Sequence, residues 1–389
     1  MGTLTLTGLI PTIYAAMDLV SREKVGFIGA VSQDFSAERA ALNQTISSPV
    51  VGAMAAEDLT PGATAADTPN QTIGKVDMTI SKSRSVPFGI TGEETKGLQT
   101  AGTLTQINRD RIAQALRTLT NEVEADLYAE VYKSVSRGYG TAGTTPFGTA
   151  SDFSDFAGAN EVLDENGAPD TDRHLVLGSA AIRNIRGKQS VLFKANEAGT
   201  EELLRRGVIG QVESLDIHQS AAIKTSVAAG TGASATTNTA GYAVGSTTIT
   251  LASAGTGTIV AGDLVSFAGD SRKYLVLSGD ADVSNGGSIT IAEPGLMQAI
   301  PAAATAITVV AAAVRNVFFH RTAIQLATRA PAMPEGGDSA DDVMLLQDPV
   351  SLITYEFALY RQKRQVRYEV NLAWGKKLIA ARHAGLLLG

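Results

Sequence analysis

The feature that most constrains this chain is an amphipathic run over residues 108–135. Ile112, Leu116, Leu119, Val123, Leu127, Val131 and Val135 recur at spacings of three and four, the period of one helix face. Thr105 or Asn108 supplies an N-cap and Gly138 a stop. At 1.5 Å per residue such a helix is about 40 Å long. Arg117, Asn121, Glu124 and Lys133 mark the opposite, polar face, so the helix is expected to lie along a sheet or domain with one side in water. No second helical pattern of similar length occurs, which speaks against an ordinary bundle.

The 389 residues exceed one compact core, and two or three structural units are expected. With 44% hydrophobic and 18% charged residues the chain has the composition of a folded protein. Cysteine is absent, which removes thiol nucleophiles, disulfides and thiolate metal sites and fits synthesis in a reducing cytosol. Residues 1–10 lack the basic start of a signal peptide, and no run approaches the roughly 20 apolar residues that span a bilayer. The expectation is a chain that is soluble when made. The net charge of −7 argues against a dedicated nucleic-acid reader. That charge is uneven: over 361–382 seven basic residues face one Glu, a surplus of six, so the remaining residues carry −13.

Along the chain, Ile10, Ile13, Met17 and Val20 predict an N-terminal helix with Pro11 in its first turn. Few of these residues have a body to bury in, so an arm docking outside the chain is expected. Residues 47–71 have loop chemistry, as in Thr60-Pro61-Gly62. Alternation follows, with Val76, Met78 and Ile80 on one face, resumed by Val86, Phe88 and Ile90; Pro87 favours an edge position. Together these predict a long, partly exposed β-excursion over 47–90, an element that invites association. Short helices over 153–163, 179–187 and 201–210 alternate with strands over 173–177 and 212–217, an α/β pattern. Residues 226–257 are rich in Ala, Gly, Ser and Thr. Short β-runs at 247–251, 264–267, 274–277, 288–291 and 306–310 predict a small inserted β-barrel or sandwich. Residues 330–342 are read as a loop. Strands over 352–360 and 366–374 close the chain, joined by Arg361-Gln362-Lys363-Arg364, with Val366, Tyr368, Val370, Leu372 and Trp374 on one face.

Chemistry-bearing motifs are missing. The four histidines, at 174, 218, 320 and 383, form no HExxH and no helical pair, and are read as ordinary structural or surface residues. No GxSxG elbow occurs. Gly187-Lys188-Gln189-Ser190 lacks the spacing of a phosphate loop, and Gly230-x-Gly232 lies in low-complexity sequence rather than between strand and helix. Glu93-Glu94 and Asp341-Asp342 are expected to be solvated. No catalytic residue, cofactor or metal ligand is predicted, and the chain is not expected to be an enzyme.

The order of parts resembles tailed-bacteriophage major capsid (coat) proteins, in the branch with an inserted β-domain in the axial domain. The resemblance rests on Leu9-Ile10-Pro11-Thr12-Ile13-Tyr14-Ala15-Ala16, Val25-Gly26-Phe27-Ile28, Val86-Pro87-Phe88 and the long helix. It continues through Arg173-His174-Leu175-Val176-Leu177, Gly262-Asp263-Leu264-Val265-Ser266-Phe267-Ala268-Gly269 and Asn316-Val317-Phe318-Phe319-His320-Arg321-Thr322-Ala323. Ala358-Leu359-Tyr360-Arg361-Gln362, Tyr368-Glu369-Val370 and Trp374-Gly375 complete it. The resemblance covers nearly the whole chain and rests on order and spacing rather than on any single motif. It implies an α+β capsid fold: an N-terminal arm (1–46), an extended β-loop (47–92), and a peripheral domain with the spine helix (93–150, completed by 343–389). An axial domain (151–224, completed by 313–342) and an inserted β-barrel-like domain (225–312) follow. It also implies assembly in the host bacterial cytoplasm into pentamers and hexamers of an icosahedral virion shell. A scaffolding protein and a portal are the implied partners, with non-specific double-stranded DNA inside and no membrane.

In that setting Val76, Met78, Ile80 and Phe88 are expected at subunit seams, with Lys82 and Arg84 pairing with acidic neighbours. The alternative is packing within the subunit's own hairpin. Arg361, Lys363, Arg364 and Arg367 are open to two readings, a DNA-facing inner surface or a solvated hairpin turn. Two other functions are weighed: the shell of a bacterial nanocompartment with the same fold, and a β-rich surface or carbohydrate-binding protein. The inserted domain disfavours the first, and the long helix disfavours the second.

Overall fold

The computed structural model describes residues 6–21, 25–50, 73–100, 104–189, 210–223, 226–349 and 351–389. Most of the expected loop over 47–71 and nearly all of the expected helix over 201–210 lie outside these residues. In chain order the elements are α1 (Leu6–Ser21), β1 (Ser32–Ala40), β2 (Thr45–Val50), β3 (Gly74–Thr91), α2 (Gly92–Thr100), α3 (Leu104–Val131), β4 (Arg137–Tyr139), α4 (Ser154–Glu165), β5 (Arg173–Leu177) and α5 (Ser179–Lys188). Next come β6 (Gln211–Val212), β7 (Leu215–Gln219), β8 (Thr248–Leu251), β9 (Leu264–Phe267), β10 (Lys273–Ser278), β11 (Gly287–Ile291) and β12 (Ile307–Val309). The chain ends with β13 (Arg315–His320), β14 (Ile324–Pro331), β15 (Asp342–Gln347), β16 (Thr354–Gln362), β17 (Gln365–Leu378) and β18 (Ala384–Leu388). The fold is mixed α+β.

Strand β17 organises the first sheet. Its 14 residues pair with β3 along one side and with β16 and then β14 along the other. Its even-numbered residues Tyr368, Val370, Leu372 and Trp374 are buried as expected and face the apolar stripe of α3. Helix α3 has the predicted 28 residues but runs four positions earlier than expected. Val135 keeps the apolar period and is fully buried, yet it follows a turn; Ser136 already donates its N–H to the Ala384 carbonyl at 3.2 Å. Periodicity alone does not separate a last helical turn from a buried turn residue.

The N-terminal segment departs from the expected outward-docking arm. Ile13, Ala16 and Met17 are buried in the same core as α3. Glu124, placed on the polar face by the sequence, is 2% exposed and holds this segment down. Its carboxylate accepts the N–H groups of Gly26 (2.7 Å), Phe27 (2.9 Å) and Ile28 (3.2 Å) and the Ser220 hydroxyl (2.6 Å). Residue 26 is glycine because a Cβ would come within 3.0 Å of the Gln219 backbone and of Val176.

The second sheet runs β12-β9-β10-β4-β18-β13-β5-β7-β6, with β11 and β8 attached through β10. Helices α4 and α5 cover part of it with Phe156, Leu163, Ile182 and Ile185. The chain leaving the insertion divides between the sheets: β13 lies in the second and β14 in the first. The last strand, β18, also joins the second sheet, between β4 and β13. Residues 235–307 contribute a separate apolar cluster that includes Ile249, Phe267, Val276 and Ile289. Val227 donates its N–H to the Ala313 carbonyl at 2.8 Å, so the chain enters and leaves this unit at one place.

Candidate subunit-contact strand and basic turn

Strand β3 is 18 residues long, about 60 Å at the strand rise, and it carries all six of the predicted contact residues. Its pairing changes along its length. From Ile80 to Thr91 it lies on β17, whereas Gly74 to Thr79 pair only with β2. The outer part is thus a two-stranded ribbon, with Ile73 65% exposed just before it and Val76 half-buried. Pro87 sits where β3 has one neighbour, so its missing N–H breaks no ladder bond.

A register shift separates the Gly375–Ile80 pair from the Trp374–Lys82 pair, which leaves Ser81 as an extra residue. A bulge of this kind reverses side-chain parity. The two apolar runs, read from sequence as one resumed alternation, therefore lie on opposite faces. Met78 (2% exposed) and Ile80 (fully buried) pack with Ala40, Ala327 and Ala373. Past the bulge, Phe88 stacks on Tyr368 at 5.3 Å, and Val86, Phe88 and Ile90 pack on the main core.

The two basic residues between the runs meet acids of α3 in the same chain. Lys82 lies 2.9 Å from Glu122 and 2.9 Å from Asp126, and Arg84 lies 3.2 Å from Glu122. Burial pulls the Lys82 ammonium down, but Asp126 and Glu122 outweigh it and hold its pKa above the usual lysine value. Asp126 also accepts the Trp374 indole N–H at 3.1 Å. These contacts fasten the middle of β3 to the long helix.

The basic turn stands at the other end of β3. Lys363 and Arg364 are the two turn residues between β16 and β17, and Arg364 takes the left-handed conformation (φ 57°). Arg361, Lys363 and Arg364 are exposed. Arg367 pairs with Glu369 at 2.6 Å, and the Arg361 N–H reaches Asp341 at 2.7 Å. Among the described residues Lys363 and Arg364 meet no carboxylate. The turn borders a groove of about 640 Å³ with the start of α2. There Glu94, expected to be solvated, closes a capping box with Thr91 through bonds of 2.9 and 3.2 Å. Phe88 and Arg367 are close, at adjacent register positions, whereas Val76 lies a further twelve residues along β3.

Sequence reasoning missed three buried polar groupings. Glu124 is the first. The second is Glu165, which bridges Arg137 (2.6 Å) and Arg272 (2.6 Å) and so ties α4 to β4 and to the turn before β10. Arg272 and then Arg137, against an opposing burial, hold its carboxyl at about 2. The third comprises two histidine pairs. His174 and His218 are 3.1 Å apart, and the His320 and His383 rings 6.3 Å. Asp172 and Arg321, themselves paired at 3.2 Å, lie against His174. The partners in each pair are far apart in sequence and are brought together by the tertiary fold, so no local motif announces them. Among the described residues no group of three or more His, Asp or Glu is placed to hold a metal ion. No helix there is long and apolar enough to cross a membrane.

No protein-family model matches the chain, and no curated protein matches it. Similar solved structures include one from Mycobacterium phage Che8, with 14% identity and a TM-score of 0.47 over 94% of this chain and 91% of that one. The capsid of cyanophage P-SCSP1u has 11% identity and a TM-score of 0.48 over 94% and 88%. A virus-like particle from Pyrococcus furiosus has 8% identity and a TM-score of 0.44 over 97% and 98%.

Proposed function

We propose that this chain is the subunit of a closed icosahedral shell, the major capsid protein of a tailed phage, assembling as pentamers and hexamers around double-stranded DNA. The observation that carries the reading is the outer ribbon of β2 and β3. A two-stranded ribbon is marginal in water by itself, and an exposed edge recruits further strands. Here it extends beyond β17 with Ile73 exposed, so it gains most when it overlaps a second copy. Val76 and Phe88 offer partly open apolar surface to such a copy. Met78 and Ile80 set the strand's position from within, and Lys82 and Arg84 hold it to the long helix. Many weak contacts of this kind add up over a closed lattice.

In this reading the segment expected as an arm (1–46) folds back on its own core, β2 and β3 form the extended loop (47–92), and α3 is the spine of the peripheral domain (93–150 with 343–389). The second sheet carries the axial domain (151–224 with 313–342), with β14 and β18 exchanged between the two. Residues 225–312 are the inserted domain, supported by their own apolar cluster and the 227–313 closure. A scaffolding protein and a portal complete the assembly in the host cytoplasm. The role is structural rather than enzymatic. A nanocompartment shell is the second reading, because the same ribbon and helix serve a shell around protein cargo equally well.

Electron microscopy of the purified chain, alone and with its scaffolding partner, is expected to show uniform closed shells. Double-stranded DNA in particles from infected cells supports the phage reading, and a single enzyme cargo supports the nanocompartment. Monomers alone across a wide concentration range would overturn both. Lys363 and Arg364 are the residues proposed to face DNA, flanked by Arg361 and Arg367. Reversing both turn charges (K363E with R364E) removes about two phosphate contacts, so the log–log salt slope of DNA retention should fall by roughly two. Unchanged packaging and slope would leave the turn as a solvated hairpin end.

A further inference from the structure

A second, unassigned cavity lies where the long helix meets the inserted unit. It measures about 420 Å³ and is lined by Tyr128 from the end of α3, by Tyr132 and Lys133 from the turn that follows, and by Ser226, Gly262 and Arg315, among others. No carboxylate lines it, although two cations do. Arg315 is 4% exposed and opens β13 as the chain leaves the inserted unit.

The Arg315 guanidinium is only half used. Nη1 donates to the Gly262 carbonyl at 2.5 Å and to the Tyr132 carbonyl at 3.3 Å, at the C-terminal end of α3 where the helix dipole is negative. Its face lies over the Tyr132 ring at 5.8 Å. That accounts for one nitrogen. The Nε and Nη2 edge, the fork that matches two oxygens of one oxyanion, meets no partner among the described residues. A buried cation without a counter-charge is costly, and burial lowers the Arg315 pKa, opposed by Tyr128, Asp263 and Tyr132. Asp263 is occupied elsewhere, by the N–H groups of Gly230 (2.9 Å) and Val260 (2.7 Å).

Two further donors stand beside that edge. The Tyr128 hydroxyl is buried beside the Arg315 backbone N–H and makes no well-formed hydrogen bond; a buried polar group left poorly paired in a native fold points to a missing ion or water. Lys133 is exposed at the rim, its ammonium 5.3 Å from the Tyr132 ring centroid and without a carboxylate partner among the described residues.

We propose that this cavity binds a small oxyanion, a phosphate or carboxylate group, held by the free edge of Arg315 with Tyr128 and Lys133 as additional donors. Occupancy ties the end of the long helix to the point where the chain enters and leaves the inserted unit. Nothing in this depends on shell formation.

The test is equilibrium dialysis of the full, unassembled chain against inorganic phosphate at constant ionic strength, compared with Tyr128→Phe and Lys133→Gln. Both variants should fold, because the hydroxyl has no well-formed hydrogen bond to lose and Lys133 is exposed. Wild type is expected to bind one phosphate per chain at this site, and each variant to bind it about tenfold more weakly, the loss of one charge-assisted contact. Absence of binding to wild type, or equal binding by wild type and both variants, would overturn the proposal; the second result would move the phosphate elsewhere, such as the basic turn.

Discussion

Glu124→Ala is expected to lower the unfolding free energy by about 3–5 kcal/mol, among the largest effects of any single substitution in this chain. The carboxylate accepts three successive backbone N–H groups, from Gly26, Phe27 and Ile28, and the Ser220 hydroxyl, in a place closed to water. Alanine leaves those donors buried and unpaired, each costing about 1–3 kcal/mol, partly offset because a charge no longer has to be desolvated. Burial pushes the Glu124 carboxyl up and the four donors push it down, and the first wins. The glutamine variant keeps one acceptor oxygen but turns an NH₂ toward donors, so a loss of about 2 kcal/mol is expected. Urea denaturation of the three proteins measures both. A loss below about 1 kcal/mol for Glu124→Ala would mean that the 25–31 segment relaxes outward and finds water.

Glu124 also marks the limit of what the sequence reveals. The stripe from Ile112 to Val131 identifies α3, its length and its buried face, because a 3.6-residue period survives any tertiary context. The period does not say that Glu124 points inward, since a carboxylate beside an apolar stripe is ordinarily solvated. Only the arrival of three N–H groups from a segment nearly one hundred residues earlier makes its burial tolerable. The same division holds on β3. Alternation placed the strand, but the one-residue bulge at Ser81 that sends Met78 and Phe88 to opposite faces has no compositional mark. Strand β18, Ala384–Leu388, was missed for a related reason. It is buried on both faces and reads as a continuous apolar run, which has no period to detect. The candidate residues were legible as residue types; Lys82 and Arg84 were expected to pair with acidic neighbours at a subunit seam. That those acids, Glu122 and Asp126, lie on the same chain's helix depends on the register between β3 and β17.

The polar groupings share a further property: each joins segments that no local contact joins. Glu124 connects the N-terminal segment to the long helix and to the loop after β7. Glu165 connects α4 to β4 and to the turn before β10, and Arg315 connects α3 to the inserted unit. Apolar cores keep each piece rigid while these few charged contacts set the relation between them.

Acid should dismantle this arrangement in two stages. The four histidines are held below their ordinary pKa. For His218 the value is about 4, through burial and then the neighbouring His174, opposed by Asp216 and reinforced by Arg321. Burial likewise lowers His174, which faces Arg321, Asp172 and Asp216. It also lowers His320, which faces Asp172, Arg173 and Arg321, and His383, which faces Arg382 and His320. The unfolded chain therefore takes up protons first. The stability these groups support is complete above pH 6.5 and drains as pH falls toward 4, with about 2–3 kcal/mol lost by pH 4.5 from His218 alone. Glu165 acts in the next window. Its folded pKa of about 2 against an ordinary 4.5 means that its contribution, about 2–3 kcal/mol once its partial exposure is discounted, is full above pH 4.5 and lost between there and pH 2. Urea midpoints at pH 7.5, 5.5, 4.5 and 3 should fall across both windows. His218→Gln should flatten the upper fall and leave the lower, and Glu165→Gln should do the reverse while also lowering stability at neutral pH, because Arg137 stays buried without its carboxylate. If His218→Gln declines between pH 7.5 and 4.5 as steeply as wild type, the histidine cluster is not the acid-sensitive element, and carboxylates titrating early would have to carry that window instead.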